Sequence, residues 1–208
     1  MKQFLGFKQL IAALLCSVFL MPAYAVERFV AGDHYLVVGD VNAPKPAKPA
    51  VLEFFSYGCP HCEQLEPALL EWKQKHGDGI TFSRVPAQWN AYFKSLGQLY
   101  LTLEAMGVAD KHSGKVFKYI HKQKKPLRKK AQIFAFVEKQ LGIPKSEFEK
   151  AWDSKAVKEK LTDAGTKLRQ FKVSGVPALL VNERYYVSVK TAGSEEGLFE
   201  IVDFLLQK

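Results

Sequence analysis

Two kinds of apolar pattern share this chain: short unbroken runs, and longer stretches with apolar side chains at helical spacing. His34-Tyr35-Leu36-Val37-Val38 is a short run that predicts a strand. Residues 42–49, with three prolines and two lysines, read as a loop. Val51-Leu52-Glu53-Phe54-Phe55-Ser56-Tyr57 is apolar with one acid inside, the pattern of a buried central strand. Gly58 breaks it. From 60 to 76, Leu65, Ala68, Leu69 and Trp72 recur at helical spacing, and Pro60 stands in the first turn, where proline is well tolerated. Gly77-Asp78-Gly79 ends that helix. Residues 80–85 read as a second strand closed by Pro86. Strand, helix, strand in this order predicts parallel strands joined by a right-handed crossover.

The next 80 or so residues change character. Residues 91–106 are helical by pattern, with Phe93, Leu96, Leu99, Tyr100 and Leu103 on one side, and Gly107 stops them. Further helices are predicted over 115–122, 129–141, 145–152 and 155–171, with no strand pattern between them. Strands return at Ala178-Leu179-Leu180-Val181 and at 184–189, joined by a tight turn at Asn182-Glu183. A last amphipathic helix covers 195–206. The order describes an α/β domain with a helical block inserted into it: residues 26–87 and 165–208 form the first, and 88–164 the second. There is no internal repeat.

Residues 1–25 stand apart. Lys2 and Lys8 precede an uncharged apolar run over 10–21, and Ala23-Tyr24-Ala25 offers small residues at the recognition positions for cleavage. This predicts a secretory signal peptide cut after Ala25. The alternative is an uncleaved anchor, but 12 apolar residues fall short of the roughly 20 that a spanning helix needs. Cys16 follows Leu15 rather than a small residue, which argues against a lipoprotein site. The protein is therefore expected to be exported and, once cleaved, soluble, with Cys59 and Cys62 as its two cysteines.

Composition adds less. With 48% hydrophobic and 25% charged residues, the chain suits a folded protein rather than a disordered one. The formal charge of +9 falls to about +7 without the signal lysines, and is dispersed apart from one cluster. Residues 122–130 hold six basic residues out of nine. They read as a solvated loop between helices, with nucleic-acid binding as the sharper alternative and weak attraction to an anionic membrane surface as a further one. Nucleic-acid binding is not expected, since the cluster contains no stacking aromatic and no recognition motif.

The chemistry lies in Cys59-Pro60-His61-Cys62, which follows the predicted buried strand and opens the predicted helix. One bridge across so short a loop hardly constrains the unfolded chain, so the pair calls for a chemical explanation. A helix N-terminus presents unpaired N–H groups and about half a positive charge. A thiolate there is stabilised and the thiol pKa falls. Cys59 takes that benefit and is the sulfur expected to exchange with substrates. Cys62, one turn on and more shielded, is its internal partner, and His61 adds positive charge or a hydrogen bond. A stabilised thiolate favours the reduced state, so the disulfide becomes a strong oxidant. A zinc knuckle would need about four ligands, and no second Cys pair or His-x-x-x-His is present. Neither metal nor cofactor is expected.

Phe54-Phe55-Ser56 leading to Cys59-Pro60-His61-Cys62, together with the later Gly175-Val176-Pro177-Ala178, resembles the DsbA family of bacterial disulfide oxidases. The resemblance spans nearly the whole chain after the signal and includes the helical block between the two motifs. It implies a thioredoxin-like fold with an inserted all-helical domain, and a periplasmic location. It implies that Pro177 is a cis-proline facing the cysteines and that Val176 offers backbone groups to a bound peptide, with Pro60 at the same substrate-binding edge. It makes Glu53 the buried acid beneath the site. A carboxyl group in an apolar strand has a raised pKa and can carry a proton to or from Cys62; the alternative is a strand residue facing a polar loop or edge. Some relatives place a lysine near that acid on the second strand, where this chain reads Thr81-Phe82-Ser83-Arg84-Val85, which leaves the charge partner of Glu53 open.

The expected activity is oxidation of cysteine pairs in newly exported polypeptides by a monomer, through a mixed disulfide at Cys59, with reoxidation by a quinone-linked membrane partner of the DsbB type. Two rivals are a disulfide isomerase or reductase, whose DsbC-like members carry a dimerisation domain for which there is no room before Val51, and a peptide-binding chaperone in which the pair is incidental.

Overall fold

The computed structural model describes residues 27–208, so the predicted signal peptide and Cys16 lie outside the described residues. The elements run β1 (Leu36–Val37), β2 (Ala50–Phe55), α1 (Pro60–His76), β3 (Thr81–Pro86), α2 (Ala91–Ala105), α3 (Ala109–Phe117), α4 (Lys130–Phe136), α5 (Lys145–Trp152), α6 (Lys155–Gln170), β4 (Ala178–Val181), β5 (Tyr185–Ser188), α7 (Val189–Ala192) and α8 (Glu195–Leu206). None of these helices is long and apolar enough to cross a membrane.

The strands form one mixed sheet in the order β1-β5-β4-β2-β3, with β2 and β3 parallel and the other neighbours antiparallel. The parallel pair is the predicted crossover, with α1 as its connection. Asn182 and Glu183 both take left-handed φ values, 52° and 55°, as the hairpin turn that matches strand twist requires. Asn182 also ties this turn to β2, its side chain accepting the Ala50 N–H at 2.9 Å.

Three apolar clusters hold the layers. On one face of the sheet, Leu65, Leu69 and Trp72 of α1 and Leu198, Ile201, Val202 and Leu205 of α8 pack against Val51, Leu179 and Val187. On the other face, Ala164 and Leu168 of α6 cover Phe54, Val85 and Leu180. The third cluster is the interior of the helical block, and it continues through Phe55 and Tyr57 to Cys59 and Cys62. The helical block is thus one wall of the cysteine site.

Several boundaries differ from the pattern reading for local reasons. The first strand shortens to two residues, because Tyr35 bridges back to Ala31 instead. Helix α3 starts at Ala109, not 115, since Gly107 at φ 71° ends α2 and buried Ala109, Ser113 and Val116 already share a face. Helices α3 and α4 each finish in a widened π-type turn, Lys118–Lys122 and Val137–Leu141. Strand β5 stops at Ser188, whose hydroxyl accepts the Thr191 N–H and caps the short α7. Helix α6 runs unbroken past residues 164 and 165, so the chain returns to the sheet layer within a helix.

Candidate active site

Strand β2 delivers the site. Beyond Phe55 the chain turns tightly, with the Cys59 N–H donating to Ser56 O at 3.0 Å and the Gly58 N–H to Ser56 Oγ at 3.1 Å. A Cβ on Gly58 would lie 3.0 Å from Tyr92 Cε1 and 3.1 Å from Leu96 Cδ1, so a side chain there would press on α2 and require these neighbours to give way. Cys59 is the N-cap of α1, in extended conformation, and Pro60 takes the first helical position. The Cys59 Sγ accepts the Cys62 N–H at 3.4 Å, serving as the capping acceptor that Ser or Asp supplies elsewhere.

Both cysteines are free, so the site is a dithiol. The Cys59 S–H points at the Val176 carbonyl, 3.4 Å away, and the Val176–Pro177 bond is cis, as the resemblance implied. The Cys59 thiol is lowered to about 6. The largest cause is its hydrogen bond with the Cys62 side chain. Burial opposes it, and the backbone N–H groups of Cys62 and His61 and then the His61 charge add to it. The exposed His61 ring, with Nδ1 3.1 Å from Gln64 Oε1, therefore ranks behind Cys62, whereas the sequence reading put the helix end and His61 first. Cys62 is only 1% exposed, and its thiol is pushed well above the usual range by burial and by its bond to Cys59.

Glu53 lies beneath, 1% exposed on the interior strand β2, which removes the alternative of a polar edge. Its charge partner, left open by the sequence, is Arg84, directly opposite in the β2–β3 register. Arg84 Nε is 2.6 Å from Glu53 Oε2, though its N–H is not aligned for a hydrogen bond. The other edge of the same guanidinium takes Glu66 of α1 with both Nη atoms, at 3.3 and 2.5 Å. Two buried carboxylates thus share one buried cation, and the guanidinium also stands 5.1 Å over the Phe55 ring. Burial pushes the Glu53 carboxyl up to about 7; Arg84 opposes this and Glu66 adds to it. Cavities of about 240 and 150 Å³ border Arg84, and neither is lined by Glu53 or Glu66.

The helical block buttresses the turn from the other side. The Tyr57 hydroxyl meets Ser113 Oγ at 2.8 Å, and its ring packs edge-on against Phe55 and Phe117. His121, placed by the widened turn after α3, donates from Nε2 to the Tyr57 carbonyl at 2.8 Å. Beside the cysteines, a groove of about 470 Å³ is lined by His61, Val176, Pro177, Tyr186 and Leu36, among others.

Residues 68–196 match the family model described as a DSBA-like thioredoxin domain. The chain is 36% identical over 198 residues to the thiol:disulfide interchange protein DsbA of Pseudomonas syringae pv. tomato, covering 95% of this chain and 92% of that protein. The chain belongs to the DsbA family. The DsbA of Azotobacter vinelandii is 38% identical over 168 residues, covering 81% of this chain and 78% of that one. Among solved structures, Pseudomonas aeruginosa DsbA superposes with a TM-score of 0.79 at 33% identity, covering 86% of this chain and 93% of its own. The fold is the thioredoxin-like fold with a helical insertion expected for this family.

The structure brings together all the residues singled out from the sequence: exposed Pro60 and His61, half-buried Val176, and buried Cys59, Cys62 and Pro177, with Glu53 below. It adds Arg84, Glu66, Tyr57 and His121. A charged residue in a strand that parallels the Glu53 strand is the signal that could have identified Arg84. Glu66 and His121 left no such mark, since one sits within an ordinary amphipathic helix and the other within a basic stretch.

Proposed function

We propose that this DsbA-family protein is a periplasmic protein dithiol oxidase that donates a Cys59–Cys62 disulfide. The observation that carries this reading is the asymmetry of the pair: Cys59 caps a helix and is lowered to about 6, while Cys62 is buried and raised.

In the oxidised protein a substrate thiolate attacks Cys59 Sγ. A new S–S bond forms, the Cys59–Cys62 bond breaks, and Cys62 leaves as a thiolate that takes up a proton. A second substrate thiolate then attacks the substrate sulfur of the mixed disulfide. Cys59 leaves as a thiolate, the substrate is oxidised by two electrons, and the protein is left reduced. Thiols of lower pKa leave faster, so this last step exploits the stabilised Cys59 thiolate. Glu53, poised at about 7, gives and takes the Cys62 proton, with Arg84 and Glu66 holding it there. The cis-proline loop holds the substrate strand, Val176 by its backbone and Pro177 by its ring, with Pro60 across from it. Substrates are exported polypeptides with free cysteines, and a DsbB-type quinone-linked membrane oxidase restores the disulfide.

The test is the reduction potential of the Cys59–Cys62 pair. DsbA itself marks the oxidising end of the scale at about −120 mV, and thioredoxin lies at about −270 mV. A value towards the first supports donation of the disulfide; one near thioredoxin sinks it.

A further inference from the structure

The basic run 122–130 takes no part in the chemistry at Cys59, yet the fold gives it a definite shape. Lys124, Lys125 and Arg128 line a groove of about 530 Å³ in the helical block, together with Lys139, Tyr119 and Phe136. No aspartate or glutamate lines it. Among the described residues the nearby ion pairs engage Lys122 and Lys130 and leave these four cations without one. The loop is folded rather than loose. Leu127 is 1% exposed, Lys124 takes a left-handed φ of 56°, and the Lys125 N–H donates to Tyr119 O at 3.2 Å. Lys125 Nζ stands 5.5 Å over the Tyr119 ring, which packs 4.5 Å from Phe136. The result is an aromatic floor under a cationic rim.

The groove adjoins the redox site. The Arg128 guanidinium lies 5.0 Å over the ring of Tyr92, the side chain that presses on Gly58 next to Cys59. Lys122, at the head of the basic run, pairs with Glu63 in the first turn of α1 at 3.2 Å.

We propose that this groove is a second recognition site for substrate polypeptides, taking an acidic segment that carries an aromatic or aliphatic side chain. It rests on the reading that the protein oxidises polypeptides, and names the class it favours. Four cations with no lining anion select negative charge and steer its approach. The aromatic floor rewards an apolar side chain between the acids. Adjacency to Gly58 lets one polypeptide occupy the groove while its cysteine meets Cys59. A membrane surface fits less well, because binding in the interface needs projecting apolar side chains. Among the described residues the exposed large ones are Val30, Leu36, Val37, Val41, Leu70 and Trp89, none of which lines the groove.

The experiment measures binding to the intact oxidised protein by fluorescence anisotropy, using a labelled, cysteine-free peptide of aspartates and glutamates around one phenylalanine. Its counterpart has asparagine and glutamine in their place. The acidic peptide should bind at least tenfold more tightly than the amide peptide. Replacing Lys124, Lys125, Arg128 and Lys139 together by Gln should weaken binding by about tenfold, or about 1.4 kcal/mol. Neutralising Lys145, Lys150, Lys158 and Lys172, outside the groove, should change it less than twofold. Equal losses in the two variants, or equal binding of the two peptides, would overturn the proposal. So would phosphatidylglycerol vesicles or a single-stranded oligonucleotide that displaced the peptide at lower concentration than the unlabelled peptide itself. Oxidation of dithiothreitol by the native protein, read in parallel, tests the oxidase reading separately, since that dithiol has no acidic segment.

Discussion

Glu53 and Arg84 face each other across the parallel β2–β3 pair, with Arg84 Nε 2.6 Å from Glu53 Oε2 and Glu66 on the far edge of the same guanidinium. One cation serves two carboxylates where little solvent reaches. With all three ionised the triad carries one net negative charge. A proton on Glu53 removes it, and burial, reinforced by Glu66 and opposed by Arg84, raises the Glu53 carboxyl to about 7.

That arrangement predicts opposite effects for its two ends. Glu53 holds its proton to about pH 7 in the folded protein but only to about 4.3 when unfolded, so its burial destabilises the fold increasingly as pH rises between those values. Glu53→Gln should therefore stabilise the protein by about 1–3 kcal/mol at pH 8, on the scale of about 1.4 kcal/mol per pKa unit, and by almost nothing near pH 4. Arg84→Met leaves two buried carboxylates without a cation and should cost about 3–5 kcal/mol at pH 8, less at pH 5 where they can be protonated. Urea unfolding of both variants at the two pH extremes checks the signs.

The Cys59 thiolate is tuned first by Cys62 and last by the His61 charge. Cys62→Ala should accordingly raise the Cys59 pKa more than His61→Ser does. Cys62→Ser, which keeps a donor, should fall between native and Cys62→Ala. The backbone N–H groups remain in every case, so His61→Ser should stay below the free-thiol value of about 8.5. Ultraviolet titration of the thiolate ranks the variants; a larger shift for His61→Ser would reverse the order of causes given above.

Reduced and oxidised forms should differ in stability in a pH-dependent way. The Cys59 pKa is depressed by folding, so the ionised group stabilises the reduced fold fully above the unfolded value near 8.5. That contribution is lost as pH falls towards about 6. At pH 7 it is worth about 1 kcal/mol once solvent screening at the rim is allowed for. The reduced form should then melt about 2–4 °C above the oxidised form at pH 7, with the gap shrinking below pH 6. Melts with and without reductant test this, and a gap that widens on acidification would count against it.

The parts of this molecule that were legible in the sequence are those written in local pattern. Helix α1 and strand β4 have the boundaries that periodicity and turn residues gave them, because Gly58, Gly77 and the Asn182-Glu183 turn mark their ends. The place of Cys59 at the start of α1 was legible because Pro60 and the helical spacing of Leu65, Ala68, Leu69 and Trp72 follow it. What stayed hidden is tertiary. The Glu53–Arg84 pairing depends on β2–β3 register, Glu66 reaches the triad only through the face that α1 turns inward, and His121 reaches Tyr57 only through a widened turn. The aromatic floor of the basic groove comes from Tyr119 and Phe136, outside the cluster itself, so its composition gave no sign of it.

Gly58 offers the most local test of how the helical block shapes the site. Its role is spatial, since a methyl group there would press on Tyr92 Cε1 at 3.0 Å and Leu96 Cδ1 at 3.1 Å. Tyr92 is half-buried and has room to swing, but Leu96 is 1% exposed and packed on all sides. Gly58→Ala should therefore overpack the turn and cost about 1–3 kcal/mol. Because the Cys59 N–H and the Cys62 N–H to Sγ geometry depend on that turn, the Cys59 pKa should rise as well. Leu96→Ala alone removes the obstructing carbons and should cost about 2–5 kcal/mol by leaving a cavity. Together the new methyl partly fills the space that Leu96 vacates, so the double variant should be at least about 0.5 kcal/mol more stable than the sum of the two losses. Additive losses in urea unfolding would mean that Gly58 is required for a reason other than the contact with α2.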